Sequence, residues 1–172
     1  TQASTWNPKL VEEMSDCIRQ QLVSVGYRHV LSSVFDIARD PRWGRVVECY
    51  SEDPYLAGEL GKQTITVLQA NGLVSTPKHF AVYSVPVGGR DEGTRTDPHV
   101  APREMKTLLL EPFRKGIAEA GAHGVMSSYN DYDGEPVSGS HYFLTDILRR
   151  QWGFDGYVVS DSEAVEFLYR KH

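Results

Sequence analysis

Hydrophobic positions along the chain alternate between short apolar runs and longer stretches with helical spacing. The apolar runs predict buried strands over 28–37, 73–80, 124–129 and 156–161. Helical spacing or helix-start signals follow each run and predict helices over 51–70, 102–120, 141–151 and 163–168. Strands that alternate in this way with helices form βαβ units and a parallel sheet.

One more helix is predicted ahead of these units, over residues 9–25. Its apolar residues at helical spacing predict the face that packs on the core, and they are Leu10, Met14, Cys17, Ile18 and Leu22. The second cysteine of the chain is Cys49. The two cysteines have no metal-type spacing, and we expect both to be small core side chains.

Polar side chains close all four predicted strands: Asp36, Lys78 with His79, Tyr129 with Asn130, and Asp161. A doubly wound sheet and a barrel both accommodate such strands, but no Gly-x-Gly-x-x-Gly follows any of them, and a barrel carries its catalytic residues at this end. The predicted fold class is therefore α/β, part of a (β/α)8 TIM-type barrel, with about four βα units. A complete barrel needs about 200–250 residues, so the 172 residues here predict an incomplete barrel with two unpaired edges.

Composition excludes several classes of protein. The formal net charge is −5 and 40% of residues are hydrophobic, as in ordinary globular chains. Neither half is basic, so nucleic acid is not an expected partner, and no apolar run approaches the roughly 18 residues that predict a membrane span. The histidines lack metal-ligand spacing, and the glycines within 84–97 lack a phosphate-loop pattern. No metal and no cofactor is therefore predicted.

Several polar residues are candidates for chemistry, each with a structural alternative. Asp161 suits a nucleophile, a general base or a metal ligand, or else caps the following helix. In the loop 39–45, Arg42 or Arg45 offers bidentate donors and Trp43 offers a face for sugar stacking. The alternative for this loop is rigidity, with Asp36 or Asp40 paired to an arginine.

The assembled strings resemble glycoside hydrolase family 3 over about residues 10–170. The matching strings occur in that family's order: FDIARDPRWGR from Phe35, YSEDP from Tyr50, KHF from Lys78, MSSYN from Met126, LT through WGF over 144–154, and VVSD ending at Asp161. The chain closely resembles the bacterial β-glucosidases and β-xylosidases of that family. This resemblance implies that the chain is a partial N-terminal (β/α)8 domain over residues 1–172, without the family's second domain.

The resemblance also implies roles for individual residues. Asp161 matches the catalytic nucleophile, Lys78 and His79 the pair that binds hydroxyls of the reacting sugar, and Arg45 an arginine that contacts the same sugar. Tyr129 matches a tyrosine beside the nucleophile, and Met126 lies near that pocket. An upstream sugar-binding aspartate has no equivalent here, and the acid/base normally lies well beyond His172.

The function implied is retaining hydrolysis of terminal β-linked glucose or xylose, with an oligosaccharide or β-glycoside as substrate. The alternatives are a non-catalytic sugar-binding barrel fragment and a half-barrel that works only in an assembly, through the remaining part of the same enzyme or by self-association. Members of this family are often secreted or periplasmic, which leaves the compartment of this chain open.

Overall fold

A computed structural model describes residues 2–84 and 96–170. Its α-helices are α1 (Pro8–Ser24), α2 (Pro54–Gln69), α3 (Pro102–Glu104), α4 (Glu111–Arg114) and α5 (Ala164–Arg170). Three π-helical segments lie at Met105–Leu109, Lys115–Glu119 and Tyr142–Gln151. Short 3-10 turns lie at Ala3–Thr5, Pro41–Trp43, Val46–Glu48 and Val137–Gly139. The strands are β1 (His29–Val30), β2 (Val74–Ser75), β3 (Gly124–Ser127), β4 (Asp131–Tyr132), β5 (Glu135–Pro136) and β6 (Tyr157–Ser160). Within the described ranges, no helix has the length and apolar character needed to cross a membrane.

The strands of the predicted units lie side by side in chain order. β1 pairs with β2 and β3 pairs with β6, both in parallel. Two single parallel bridges continue the ladder, from Val34 to Lys78 and from Phe80 to Ser127. β4 and β5 form a small antiparallel hairpin that follows β3. The predicted α/β arrangement with parallel, sequential strands is therefore confirmed.

Regular strand pairing is shorter than the apolar runs predict. In the first run, β1 ends at Val30, and the chain then pairs with its neighbour through isolated bonds. The amide of Lys78 donates to the Ser33 carbonyl (2.9 Å), and the amide of Phe35 donates to the Lys78 carbonyl (2.8 Å). The Ser75 hydroxyl donates a hydrogen bond to the Ser32 carbonyl (2.6 Å). A side chain thus replaces part of the backbone ladder, a substitution that an apolar pattern does not reveal.

The two outer edges of this strand array have no strand partner among the described residues. β3, in the interior of the array, is buried along its whole length, as expected for a strand covered on both faces. β6 is only partly covered, and Tyr157 at its start is exposed. The expectation of full burial is therefore wrong for β6 and also for β1, where His29 is exposed, because each of these edge strands has no strand neighbour on one side among the described residues.

Side-chain caps begin the two long helices, α1 and α2. The Asp53 carboxylate accepts from the amide of Leu56 (2.7 Å), with Pro54 in the first turn of α2. Asn7 caps α1 in the same way, through the amide of Leu10 (3.2 Å). These contacts pair backbone donors that have no partner inside the helix.

The core-facing side of α1 differs from the prediction. Val11 and Ser15 are the buried residues of this helix, whereas Leu10, Cys17 and Ile18 are exposed. Val11 packs with Leu60 of α2, and the Ser15 hydroxyl donates to that of Thr64 (3.2 Å), also in α2. Helix α1 therefore docks through a narrow stripe that includes a polar residue, which hydrophobic spacing cannot identify. The prediction of two core cysteines holds for Cys49 and is wrong for Cys17.

Phe35 lies at the centre of the core, at the point where two helices meet the first strand segment. Its ring is fully buried and contacts the Phe113 ring edge to face, with centroids 5.5 Å apart. Gly61 of α2 and Gly116 both face this ring, and a Cβ on either would lie within 2.2 Å of it. Two glycines therefore let the helices approach closely enough to enclose the residue that precedes Asp36. Most of the glycine-rich stretch 84–97 lies outside the described residues.

Candidate active site

Three of the polar residues that close the predicted strands come together at the carboxyl ends of these strands. Asp36 Oδ2 accepts from the ring Nδ1 of His79 (2.7 Å) and from its backbone amide (3.1 Å). On the other side of the ring, Nε2 lies 3.4 Å from Asp161 Oδ2. The His79 and Asp36 side chains are each 1% exposed, and that of Asp161 is 13% exposed. A buried histidine therefore stands between two carboxylates, one of which reaches solvent.

Asp161 is placed by the ladder between β3 and β6. Its amide donates to the Ser127 carbonyl (3.0 Å), one residue beyond the end of β6. Oδ1 accepts from the adjacent amide of Ser162 (2.8 Å). Oδ2 is buried and has no hydrogen-bond partner among the described residues. Ser162 lies before α5, which begins at Ala164, so this contact is local and is not a helix cap. The other carboxylate oxygen is directed at His79.

Arg45 reaches the same histidine from the loop that follows Asp36. Asp40 caps a short helical turn over Pro41–Trp43. Gly44 then adopts a left-handed conformation (φ 90°), which is unfavourable for a residue with a side chain. This turn brings Arg45 Nη1 to 3.0 Å from His79 Nε2. Arg45 also forms a two-pronged pair with Glu48, through Nε–Oε1 (2.6 Å) and Nη2–Oε2 (2.8 Å).

The contacts around His79 determine where its ring proton lies. A carboxylate only accepts hydrogen bonds and a guanidinium only donates them. Nδ1 beside Asp36 therefore carries the hydrogen, and Nε2 accepts from Arg45. In this tautomer Nε2 has no hydrogen to give to Asp161, which agrees with the unpartnered Oδ2 of Asp161.

Charge pairing tunes the arginine and its partner. Burial alone would lower the pKa of Arg45, but the Glu48 carboxylate raises it above its usual value. The Arg45 hydrogen bonds hold the pKa of Glu48 below its usual value, and the positive charge of Lys78 adds to this effect. Lys78 is half-buried, beside His79. The site therefore contains a guanidinium that remains charged at neutral pH.

The remaining predicted residues lie close to this centre. Tyr129 is buried in a cluster with Tyr83 and Ala164, and its ring centroid is 6.0 Å from that of Tyr83. Met126 is buried in β3, in register with Val159 of β6. Because Val125 joins the outer core and successive strand residues face opposite sides, Met126 faces the inner side of the strand array.

The loop 39–45 also contains residues whose predicted roles the structure contradicts. Trp43 is fully buried and meets the Tyr83 ring edge to face at 5.3 Å, so neither face is available to a sugar. Arg42 is exposed and pairs with Asp40 through Nε–Oδ1 (2.9 Å) and Nη2–Oδ2 (2.7 Å). The rigidity alternative therefore describes these residues correctly, since the loop holds itself together through them. Asp36 pairs with His79 rather than with an arginine.

Two residues of the site escaped sequence reasoning. Glu48 stands between apolar neighbours, Val47 and Cys49, and only its spacing of three from Arg45 on a helical turn hints at a pair. Tyr83 is fully buried, with its ring 5.1 Å from that of His79. Burial raises the pKa of its phenol, with nearby Asp36 and Asp161 also contributing. Tyr83 comes four residues after His79 outside any strand, so no periodicity marks it.

Comparison with known proteins identifies the family of this site. The model of the glycosyl hydrolase family 3 N-terminal domain matches residues 1–172. The chain belongs to this family. The family assignment agrees with the resemblance carried by the strings around Asp36, His79 and Asp161.

Individual relatives of the family 3 chain carry several names. It is 35% identical over 99% of its length to a β-xylosidase of Formosa agariphila and 32% identical over 92% to an exo-α-(1→6)-L-arabinopyranosidase of Bifidobacterium longum. The solved structure of a β-glucosidase from Erythrobacter marinus superposes with a TM-score of 0.92 at 36% identity, over 99% of this chain. With the parallel strand order, these matches confirm part of a TIM-type barrel.

The family 3 chain is much shorter than these relatives. It spans 24% of the F. agariphila protein, 20% of the B. longum protein and 23% of the E. marinus chain. The matched region is therefore only one part of each relative.

Proposed function

We propose that this chain supplies the nucleophile side of a retaining glycosidase that removes terminal β-linked glucose or xylose. The observation that carries the proposal is the approach of Asp161 Oδ2 to His79 Nε2 (3.4 Å), with Arg45 bound to the same nitrogen (3.0 Å). Asp161 Oδ2 has no hydrogen-bond partner within the described ranges, part of the side chain reaches solvent, and His79, which Arg45 contacts, lies beside it. These are properties of a carboxylate that attacks a neutral sugar.

In this mechanism Asp161 attacks the anomeric carbon while the glycosidic carbon–oxygen bond breaks. The leaving oxygen takes a proton from a general acid, and water later releases the sugar from the covalent glycosyl-enzyme. The two carboxyl groups of a retaining site lie about 5–5.5 Å apart. The family resemblance implies that the acid/base comes from a part of the protein outside this chain. Asp36, which is directed at His79, and Glu48, which is paired with Arg45, are already engaged in the site.

Sugar binding would fall to the donors that the site leaves over. The described contacts of Arg45 engage three N–H groups, two with Glu48 and one with His79. A guanidinium has five such groups, so two remain for hydroxyls of a ligand. The Lys78 ammonium adds further donors, and Met126 and Tyr129 provide apolar surface nearby. Hydrogen bonds that strengthen as the oxocarbenium-like transition state forms would contribute several kcal/mol.

The nucleophile can be tested by trapping the covalent intermediate. The protein in its full natural length is incubated with 2-fluoro glucosyl or xylosyl fluorides and digested, and the labelled peptide is sequenced by mass spectrometry. We expect the label on Asp161 and its loss in Asp161→Asn. A label on any other carboxylate would refute this assignment.

The sugar can be tested in parallel with aryl glycosides. We expect turnover of an aryl β-glucoside or β-xyloside, and Arg45→Ala should lower kcat/KM by about 100-fold because it removes charged hydrogen bonds worth about 1.5–3 kcal/mol each. Turnover of the aryl α-L-arabinopyranoside alone would replace the proposed substrates with that of the B. longum relative. Absence of turnover with all three would favour the sugar-binding alternative.

A further inference from the structure

The Asp36 carboxylate lies on the far side of His79 from the proposed nucleophile. Its Oδ2 accepts twice from the same residue, from the ring Nδ1 (2.7 Å) and from the backbone amide (3.1 Å). The side chains of both residues are 1% exposed. A substrate therefore reaches neither the carboxylate nor the Nδ1 edge of the ring, and any effect of Asp36 must pass through His79.

We propose that Asp36 is a positioning residue that locks His79 in the Nδ1–H tautomer. Two donors of one residue meet one carboxylate oxygen, which fixes the ring in rotation as well as in protonation. The lock keeps Nε2 free of hydrogen, so that it accepts from Arg45 Nη1 (3.0 Å). The part of this proposal that concerns catalysis rests on the proposed function.

The other tautomer would disturb both neighbours of Nε2. A hydrogen on Nε2 would face the N–H of Arg45, and two donors at 3.0 Å repel each other. The same hydrogen would be available to Asp161 Oδ2 at 3.4 Å. Hydrogen bonding to that oxygen would withdraw electron density from the proposed nucleophile. Asp36 therefore keeps Arg45 in place and Asp161 unencumbered at once.

Glu48, in the turn that follows the loop 39–45, holds Arg45 in place. Glu48 holds Arg45 by two N–H groups, Nε–H (2.6 Å) and one on Nη2 (2.8 Å), which directs Nη1 at the ring. Arg45 and His79 are thus each held by a carboxylate on the side away from the other. This symmetry distinguishes a positioned pair from an incidental contact, because each member is constrained independently.

The tautomer can be measured without any assay of activity. The protein in its full natural length is labelled with 15N-histidine, and NMR correlations of the ring nitrogens are recorded near neutral pH, with His79 assigned by comparison with His79→Gln. We expect a protonated Nδ1 and an unprotonated Nε2 in the wild type. Asp36→Asn keeps the shape of the side chain, and we expect it to move His79 toward the Nε2–H form. A wild-type His79 that is protonated on Nε2, alone or with Nδ1, would overturn the proposal.

Kinetics then test the consequence for the reaction. The fraction of competent sites is first titrated with the 2-fluoro glycoside, so that misfolded protein is not counted. Per titrated site, we expect Asp36→Asn to lower kcat by about 10- to 100-fold, by analogy with the carboxylates that orient metal-bound histidines, with KM changed much less. A merely structural role for Asp36 would lower the titrated fraction and leave kcat per site unchanged, which would also overturn the proposal.

A matched control uses a carboxylate outside the His79 cluster that also accepts hydrogen bonds from backbone amides. Asp97 accepts from the amides of His99 (3.0 Å) and Gly134 (2.7 Å). Asp97→Asn should leave kcat per site and the His79 tautomer unchanged. If the wild type itself hydrolyses none of the aryl glycosides, the proposed function fails, whereas the NMR measurement still decides the tautomer proposal.

Discussion

Replacing Gly61 by alanine would create a steric clash between the added methyl group and the ring of Phe35. The added Cβ would lie 1.9 Å from Phe35 Cε1 and 2.7 Å from Cζ. Carbon atoms pack best at about 3.5–4.0 Å, so either the ring or α2 must move by well over an ångström. The ring has little freedom to do so, because Gly116 faces it at a comparable distance and Phe113 contacts its edge.

Two effects of opposite sign set the magnitude. Overpacking a well-packed core costs about 1–3 kcal/mol, and the confinement of the ring places this site near the upper limit. Alanine in the interior of a helix is favoured over glycine by about 1 kcal/mol. The net loss in free energy of unfolding is therefore about 2 kcal/mol. Since about 1.4 kcal/mol is a factor of ten, amides of α2 that exchange by cooperative opening should exchange about 30-fold faster.

Hydrogen exchange read by mass spectrometry measures this locally in the protein at its full natural length. Gly58→Ala is the matched control, in the same helix and also buried. Its Cβ would meet the Cδ of Lys115 at 2.4 Å, in a flexible side chain that can shift more easily than a ring. We expect less than about a fivefold change for this control, equivalent to about 1 kcal/mol. Equal exchange in the two variants would refute the reasoning.

A second substitution tests the cause. Phe35→Leu removes the ring, at the cost of a cavity. In that background, adding Gly61→Ala should be nearly neutral, because the atoms that it meets are gone. A full additional loss in the double variant would show that the helix itself, and not Phe35, resists the methyl group.

Three further outcomes follow from other contacts. The Lys115 hydrogen bond lowers the pKa of Glu59. The Glu59 carboxylate therefore contributes to stability above its usual pKa of about 4.3, and this contribution is lost as the pH falls below it. Glu59→Gln should thus show a shallower fall in melting temperature between about pH 6 and 3. In Gly124→Ala a Cβ would lie 2.3 Å from Thr76 Oγ1. Exchange of β3 amides should therefore rise by an amount equivalent to about 1–3 kcal/mol, and less in a Thr76→Ala background. Arg42 is exposed and paired within its own loop, so Arg42→Ala should change kcat/KM by less than about twofold, and a larger loss would show a role in the site.

The sequence was sufficient to predict the elements and the end of the barrel at which polar residues gather. Apolar runs, helical spacing and the proline beside Asp53 are local signals, and each describes the backbone around it. Asp36, His79 and Asp161 could be expected to meet because parallel strands bring their carboxyl ends to one edge. That argument needs only the order of the strands.

The details inside the site could not be predicted in this way. Whether Trp43 presents a face or is buried depends on Tyr83, which lies 40 positions along the chain. Asp36 pairs with His79 rather than with an arginine because both side chains are deeply buried. Arg45 enters from a loop, and the path of that loop is set by Asp40 and Gly44. Likewise, α1 buries a serine because a hydroxyl partner exists on α2. Such choices arise between elements, where local patterns carry no information.

The balance of charge around His79 bears on which sugars enter the site. Among the residues that the structure describes, three acidic side chains (Asp36, Glu48 and Asp161) and two basic ones (Arg45 and Lys78) lie around His79. Within a screening length of about 8 Å at physiological salt, an approaching uronic acid or sugar phosphate would experience net repulsion. An uncharged sugar would experience none. The carboxylates of Asp36 and Glu48, which hold His79 and Arg45 in place, would thus also repel anionic glycosides before any hydroxyl is recognised.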